Sequence, residues 1–216
     1  MTSHPHASGR RLTVGIPVPL KMFATVHGGI VDIAFDPRAT HIQFRRFAGC
    51  PVCSLHLRGF VRRRREMEQV VRELILFHSG KEMLLRHVDD LPFDLVADSD
   101  KQIYRAFGVE TDPRALSDRR AWGTILRAVL VALPRALLGR KPLPPLAPEG
   151  GRFGLPADFL VAPDGRILAC KYGEHVDDHW SGDEVLALAN RFRASSEVAD
   201  ATAWTLTTTA SSRSLE

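Results

Sequence analysis

Two of the three cysteines in this 216-residue chain, Cys50 and Cys53, stand close together in the stretch FAGCPVCSLHL. A thiol attacks only as its thiolate. The free N–H groups and dipole of a helix N-terminus favour such an anion. The run His41–Phe47 reads as a strand leading straight into the pair, and Pro51 suits a first helical position, where a missing N–H costs nothing. Cys50 is thus expected at a strand-to-helix junction, with Arg45 and Arg46 just upstream to stabilise a thiolate. Cys53 lies about one helical turn on, within reach of Cys50. The chemistry is nucleophilic: one sulfur attacks an oxidised substrate and the other resolves the product. Two other readings stay open. The pair could fill space as small apolar side chains. It could also hold a metal, which needs further ligands from His56, Cys170, or His175 and His179; the absence of a second CxxC weighs against structural zinc.

The elements that must position the pair follow from patterning. Residues 13–35 read as extended segments around a Gly28-Gly29 turn. From Pro51 a helix is expected to about Gln69, burying Leu57, Phe60 and Val61. Val70–His78 is a strand rich enough in apolar residues to be covered on both faces. Ser79 to Glu82 matches a capping box, opening a helix to Val88. Asp94–Ala97 is a further strand, Asp98–Phe107 a helix, and Gly108 its stop. Residues 159–171 form a hairpin about Pro163-Asp164-Gly165. Ser181 to Glu184 is a second capping box, opening a last helix to about Arg193. This order predicts an α/β thioredoxin-like fold with a mixed central sheet flanked by helices.

Residues 112–152 interrupt that order as a helical insertion before the hairpin. Ala121–Leu138 is strongly apolar, with Thr124, Arg127 and Arg135 as a narrow polar stripe and Pro134 as a kink or end. It reads as a helix packed on the domain or on a dimer partner. A membrane-surface helix usually carries a wider charged face. The Pro-rich KPLPPLAPEGG follows.

The bulk properties narrow the classes. A net charge of +4 without basic stretches interleaved with aromatics argues against nucleic acid. Three cysteines do not make a disulfide scaffold. No apolar run reaches membrane-spanning length, and MTSHPHASGRR has no apolar core of a secretory signal, so a cytoplasmic protein is expected. Residues 1–11 and the small, polar 196–216 are expected to be disordered, leaving one domain over 12–195.

The blocks HIQFRRF, AGCPVCSLHL, LILFHS, SGKEMLLRHV, LPFDLVADSDKQIYRAFGVE and GLPADFLVAPDGRILACKYG give the chain a family likeness. From about Leu12 to Arg193 it resembles the peroxiredoxin-like branch of the alkyl hydroperoxide reductase and thiol-specific antioxidant family, within the thioredoxin superfamily. The resemblance implies that Cys50 attacks, Cys53 resolves, and Pro156 is the cis-proline facing the dithiol. It departs at one motif: where the family places Thr three residues before the attacking cysteine, and Pro seven before, this chain has Phe47 and Gln43. The peroxide-holding hydroxyl is missing there, while dithiol–disulfide exchange is untouched.

Other residues read as structural. Arg62–Arg65 suits a solvated helix end. Cys170 reads as a buried strand thiol, His78 as a strand-end residue, His175 to His179 as a polar loop, and Trp180 as its anchor. The expectation is a thiol-dependent oxidoreductase with catalytic Cys50, Cys53, Pro156 and Arg46 (or Arg45, since strand parity does not decide), and with no cofactor or resident metal. Its substrate would be a peroxide or disulfide. An external thiol, either a thioredoxin-type protein or a low-molecular-weight thiol, would restore it, and a homodimer is compatible. The alternatives are a redox-regulated binding module docking through 121–138, and a metal-binding CxxC protein.

Overall fold

Strand β3 (Ala39–Arg45) is buried at every residue, as a central strand covered on both faces must be. The computed structural model describes residues 10–88, 90–109, 111, 118–138 and 153–195, with 142, 145, 148 and 151. The expectations for residues 1–9 and 196–216, and for much of 112–117 and 139–152, lie outside them.

Strands β1 (Met22–Ala24) and β2 (Ile30–Asp32) form the antiparallel hairpin expected around Gly28. Parallel to β3 runs β4 (Val71–Phe77), and parallel to β4 runs β5 (Asp94–Ala97). On the other side of β3, β6 (Ala157–Val161) and β7 (Ile167–Tyr172) complete an antiparallel hairpin. The result is a five-stranded mixed sheet, β5-β4-β3-β6-β7, flanked by helices. This is the predicted thioredoxin-like layering.

The helices are α1 (Pro51–Arg62), α2 (Arg64–Met67), α3 (Lys81–Val88), α4 (Gln102–Ala106), α5 (Trp122–Leu137) and α6 (182–195). The expected single helix to Gln69 is broken at Arg63, whose N–H turns back to the carbonyls of Phe60 and Val61. Arg63 then reaches Glu66 and Asp183, so the arginine run ends a helix and ties it to α6. The first turn expected for α4 is instead a cap. The Asp98 carboxylate accepts from the N–H groups of Gln102, Ile103 and Tyr104 at 2.8–3.0 Å, which satisfies the orphan donors of a helix start.

Two packed layers hold the sheet. On one face Ile42, Phe44, Leu74, Leu76 and Phe159 meet Tyr104 and Phe107. On the other, Ile75, Phe77 and Leu95 meet Leu57, Leu84, Val88 and both cysteines of the CxxC stretch. Burying each large apolar side chain is worth about 1.5–3 kcal/mol before entropy is charged. Phe60, Leu160 and Trp180 form a third cluster with Val185, Leu186 and Ala189 of α6. The α6 start is a true capping box: Ser181 N–H donates to Glu184 Oε2 at 2.8 Å, and Glu184 N–H returns to Ser181 Oγ at 3.3 Å.

Candidate functional site

The strand-to-helix junction is built by the backbone. β3 ends at Arg45, Gly49 turns the chain with φ +84°, and Cys50 is the N-cap of α1 with Pro51 in its first turn. Gly49 has a second reason to be glycine. A Cβ there would lie 2.5 Å from His87 Cδ2, because the imidazole at the end of α3 packs directly on it. Ala48 N–H donates to Ser79 Oγ at 3.0 Å, binding the turn to the end of β4. Tyr104, reaching across from α4, donates its hydroxyl to the carbonyls of Arg45 and Leu76 and so pins the ends of β3 and β4 together.

Both cysteines are free thiols and both are buried, Cys50 at 1% exposure. Arg46 Nη1 donates to Cys50 Sγ at 3.6 Å. The Cys53 thiol hydrogen-bonds the Cys50 sulfur; that bond first, and the Arg46 charge behind it, outweigh burial and bring Cys50 from 9.0 down to about 6. Cys53 is pushed the other way, by its bond to Cys50, by burial and by the Cys50 charge. One sulfur is thus poised as a thiolate while its neighbour holds a proton.

Of the four expected site residues, three come together: Cys50, Cys53 and Arg46. Pro156 departs from the cis form that the resemblance implied, since no peptide bond among the described residues is cis. It stands just before β6, needs no N–H there, and accepts from Gly173 N–H at 2.8 Å in a trans backbone. Phe47, where a Thr would hold peroxide, places its ring under the Arg46 guanidinium, 5.3 Å from ring centre to Cζ.

Two further histidines border the junction: His87, which left no mark in the sequence, and His78, expected there only as a strand-end residue. His87 packs on Gly49 as described. His78 is fully buried between Phe47 and Tyr104, and its Nε2 would sit 2.6 Å from a Cβ at Gly154, with Arg46 Cγ at 3.7 Å from the same point. Gly154 thus gives the His78 ring and the Arg46 stem room to close on the junction.

Arg45 goes elsewhere. His41, Gln43 and Arg45 alternate along β3 and point under α1 into a buried polar cluster. His41 Nδ1 lies 2.8 Å from Glu73 Oε2, and His41 Nε2 lies 3.1 Å from Asp158 Oδ1. Burial would discharge this imidazole, but Glu73 and Asp158 overcome burial and hold its pKa up at about 9. Both ring nitrogens are therefore donors. Arg45 Nη2 donates to Asp158 Oδ1 at 2.6 Å, and burial of that carboxyl is overcome by Arg45 and His41, which keep it far below the usual carboxylate range. The Arg45 guanidinium also donates to His56 Nε2 at 3.1 Å. An arginine has only donors to offer, so His56 Nε2 is an acceptor and the ring is neutral. Burial, then His179 and Arg45, hold it well below its ordinary pKa. His179 packs against it with its ring tilted by 41°, centroids 3.5 Å apart. His56 is thereby committed to Arg45. Among the described residues no group of three His, Cys, Asp or Glu side chains is placed to hold a metal ion.

Cys170 packs against the opposite sheet layer from Cys50, with its Sγ 3.7 Å from Leu12 O and its thiol pushed up by burial. Of the polar loop, Asp178 binds Lys171 at 2.7 Å and Trp180 is buried.

No family model matches the chain, and no curated protein matches it in sequence. Solved structures match its fold. The peroxidoxin BcpB of Mycobacterium tuberculosis superposes with a TM-score of 0.57 at 15% identity, over 84% of this chain and 98% of that one. A cysteine-to-serine mutant of Xylella fastidiosa PrxQ gives 0.58 at 15%, over 87% and 99%. A putative thiol:disulfide interchange protein DsbE of Chlorobium tepidum gives 0.51 at 12%, over 82% and 99%. The fold is the thioredoxin-like fold of peroxiredoxins.

Proposed function

We propose that this peroxiredoxin-like fold carries a thiol-dependent oxidoreductase whose working group is the Cys50–Cys53 dithiol. The observation that carries the reading is the asymmetry of the pair. Cys50 has a pKa of about 6 beneath the Arg46 guanidinium, and Cys53 is held as a thiol at hydrogen-bond range of it. The Cys50 thiolate attacks an electrophilic sulfur or peroxide oxygen. With a disulfide R–S–S–R′, the Cys50–S–S–R bond forms and R′S⁻ leaves; Cys53, losing its proton, then forms the intramolecular disulfide and expels RS⁻. With a peroxide, Cys50 becomes the sulfenic acid, ROH leaves, and Cys53 displaces water. In either case two electrons pass to the substrate, and an external thiol returns them. Pro156 is assigned to the substrate-facing side of the site on family resemblance alone.

Phe47 favours disulfides over peroxides, because no side-chain hydroxyl three residues before Cys50 is there to hold a peroxide oxygen. A cytoplasmic setting, where a reducing thiol pool is at hand, suits this chemistry.

The test is intact mass of reduced protein, quenched rapidly after exposure to hydrogen peroxide or to a glutathione-capped disulfide, with peptide mapping. Loss of two hydrogens mapped to Cys50–Cys53 supports the reading, and the faster oxidant names the substrate class. If neither oxidant forms that bond, the oxidoreductase reading fails.

A further inference from the structure

Helix α5 turns two apolar faces outward from one axis. Its inner face sits along α1, with Ala128 buried and Ile125 packed against the cluster that holds Cys50 and Cys53. Its outer face carries Trp122, Leu126, Val129 and Leu130 at 61%, 62%, 44% and 61% exposure. These positions fall at i, i+4, i+7 and i+8, one continuous stripe on a helix. Four large apolar residues in one exposed stripe exceed the scattered singles of an ordinary surface.

Charge says what covers the stripe. Residues 119–138 hold Arg119, Arg120, Arg127 and Arg135, and no Asp or Glu. This segment carries +4, equal to the net charge of the whole chain, so the remainder nets zero. Arg119 and Arg127 are exposed beside the stripe, while Arg120 is held by Asp118 and Glu174. A two-fold pairing of this face with its own copy would set these cations against each other. A neutral apolar partner would leave them unanswered. The stripe is also the convex ridge of a single helix, with an indole at one end, a shape that a deformable headgroup layer accepts.

We propose that the outer face of α5 docks this protein on an anionic lipid surface. A lone interfacial helix needs a broad polar side turned to water. α5 does not, because α1 and the domain beneath occupy its other side. No helix among the described residues is long and apolar enough to cross a membrane, so the contact is a surface one. It places the N-terminus of α1, and with it Cys50, close behind the lipid-facing stripe. The docking stands whether or not the dithiol reading holds.

The experiment is co-sedimentation of the full-length protein with vesicles of phosphatidylcholine alone and of phosphatidylcholine mixed with phosphatidylglycerol. The expected result is binding to the anionic vesicles at least about 10-fold stronger than to the neutral ones, weakened by salt. Leu126→Glu/Leu130→Glu loses that binding about 10-fold or more, and Arg127→Glu loses about 5-fold. Both variants change exposed positions, so thermal melting and the Cys50 alkylation rate stay as in the wild type. No binding to either vesicle overturns the proposal, as does binding that the double variant leaves intact. It is equally overturned if the wild type is a dimer without lipid and the double variant is a monomer, which would make the stripe a self-interface.

Discussion

Two buried charged clusters lie along α1, and they are built on opposite plans. At its N-terminus one cation, Arg46, faces a sulfur that ionises to meet it. Beneath its middle, His41 and Arg45 are matched by Glu73 and Asp158, with Gln43 bridging Glu73 to Arg45. Neighbours in sequence, Arg45 and Arg46 serve different clusters because Arg45 ends the strand on its α1-facing side while Arg46 enters the turn. A closed set of ions gains nothing from reacting. A cation beside an ionisable thiol lowers the cost of creating a nucleophile. Burial strengthens both, since low dielectric makes each partner harder to replace.

The comparison can be broken from either side. The largest effect is expected from Cys50→Ser, which abolishes dithiol turnover to background while leaving the melting temperature near that of the wild type at pH 6, where the thiolate adds little to stability. Asp158→Asn does the reverse. It strands Arg45 and His41 in the interior and costs about 3–5 kcal/mol in denaturant unfolding, while the reactive thiol keeps its partner Arg46.

A pH series sharpens the contrast. His41 titrates at about 9 in the fold against 6.5 ordinarily, so its stabilisation is complete below pH 6.5 and lost as pH rises through 9, roughly 3 kcal/mol in all. Cys50 titrates at about 6 against 9.0, so its contribution is absent below pH 6 and complete above 9, roughly 4 kcal/mol. In the reduced protein the two nearly cancel between pH 6.5 and 9. In Cys50→Ser/Cys53→Ser only the His41 slope survives, and stability falls across that window by about 3 kcal/mol. An unchanged pH profile in this variant would show that the clusters do not titrate as separate units.

Next in size is Arg46→Met. It raises the midpoint of the pH dependence of Cys50 alkylation by about one unit or more. Cys53→Ala raises it further, since the Cys53 hydrogen bond is the larger cause. Arg45→Met leaves the midpoint in place and lowers stability instead. The smallest effect belongs to a residue in neither cluster: Ser181→Ala opens the α6 capping box, costs about 1 kcal/mol, and leaves the alkylation profile unmoved.

Much of this was legible in the residues. The CxxC pair, the strand before it and Pro51 after it carried the junction, because each obeys a local rule of strand alternation or helix capping. The polar cluster was half legible: HIQFRRF alternates polar and apolar on a strand whose context is wholly buried. What it lacked was the far partners, Glu73 and Asp158, which parallel and antiparallel pairing bring from 32 and 117 residues away. His87 left no local signal, since it is read only through the space Gly49 leaves for it. The break at Arg63 was hidden because arginine is a good helix former, and its partners are a local one, Glu66, and a distant one on α6, Asp183. Pro156 was misread in its peptide geometry because a proline before a strand is compatible with both isomers.

The near-complete enclosure of Cys50 sets a clock as well as a charge. A reagent too large to slip past Phe47, Arg46 and His87 must wait for the junction to open. Its observed rate then rises with concentration only to a ceiling, the opening rate, and becomes indifferent to how reactive the reagent is. A small reagent meets no such ceiling. The ratio of the two reports the time constant with which this corner of the protein breathes.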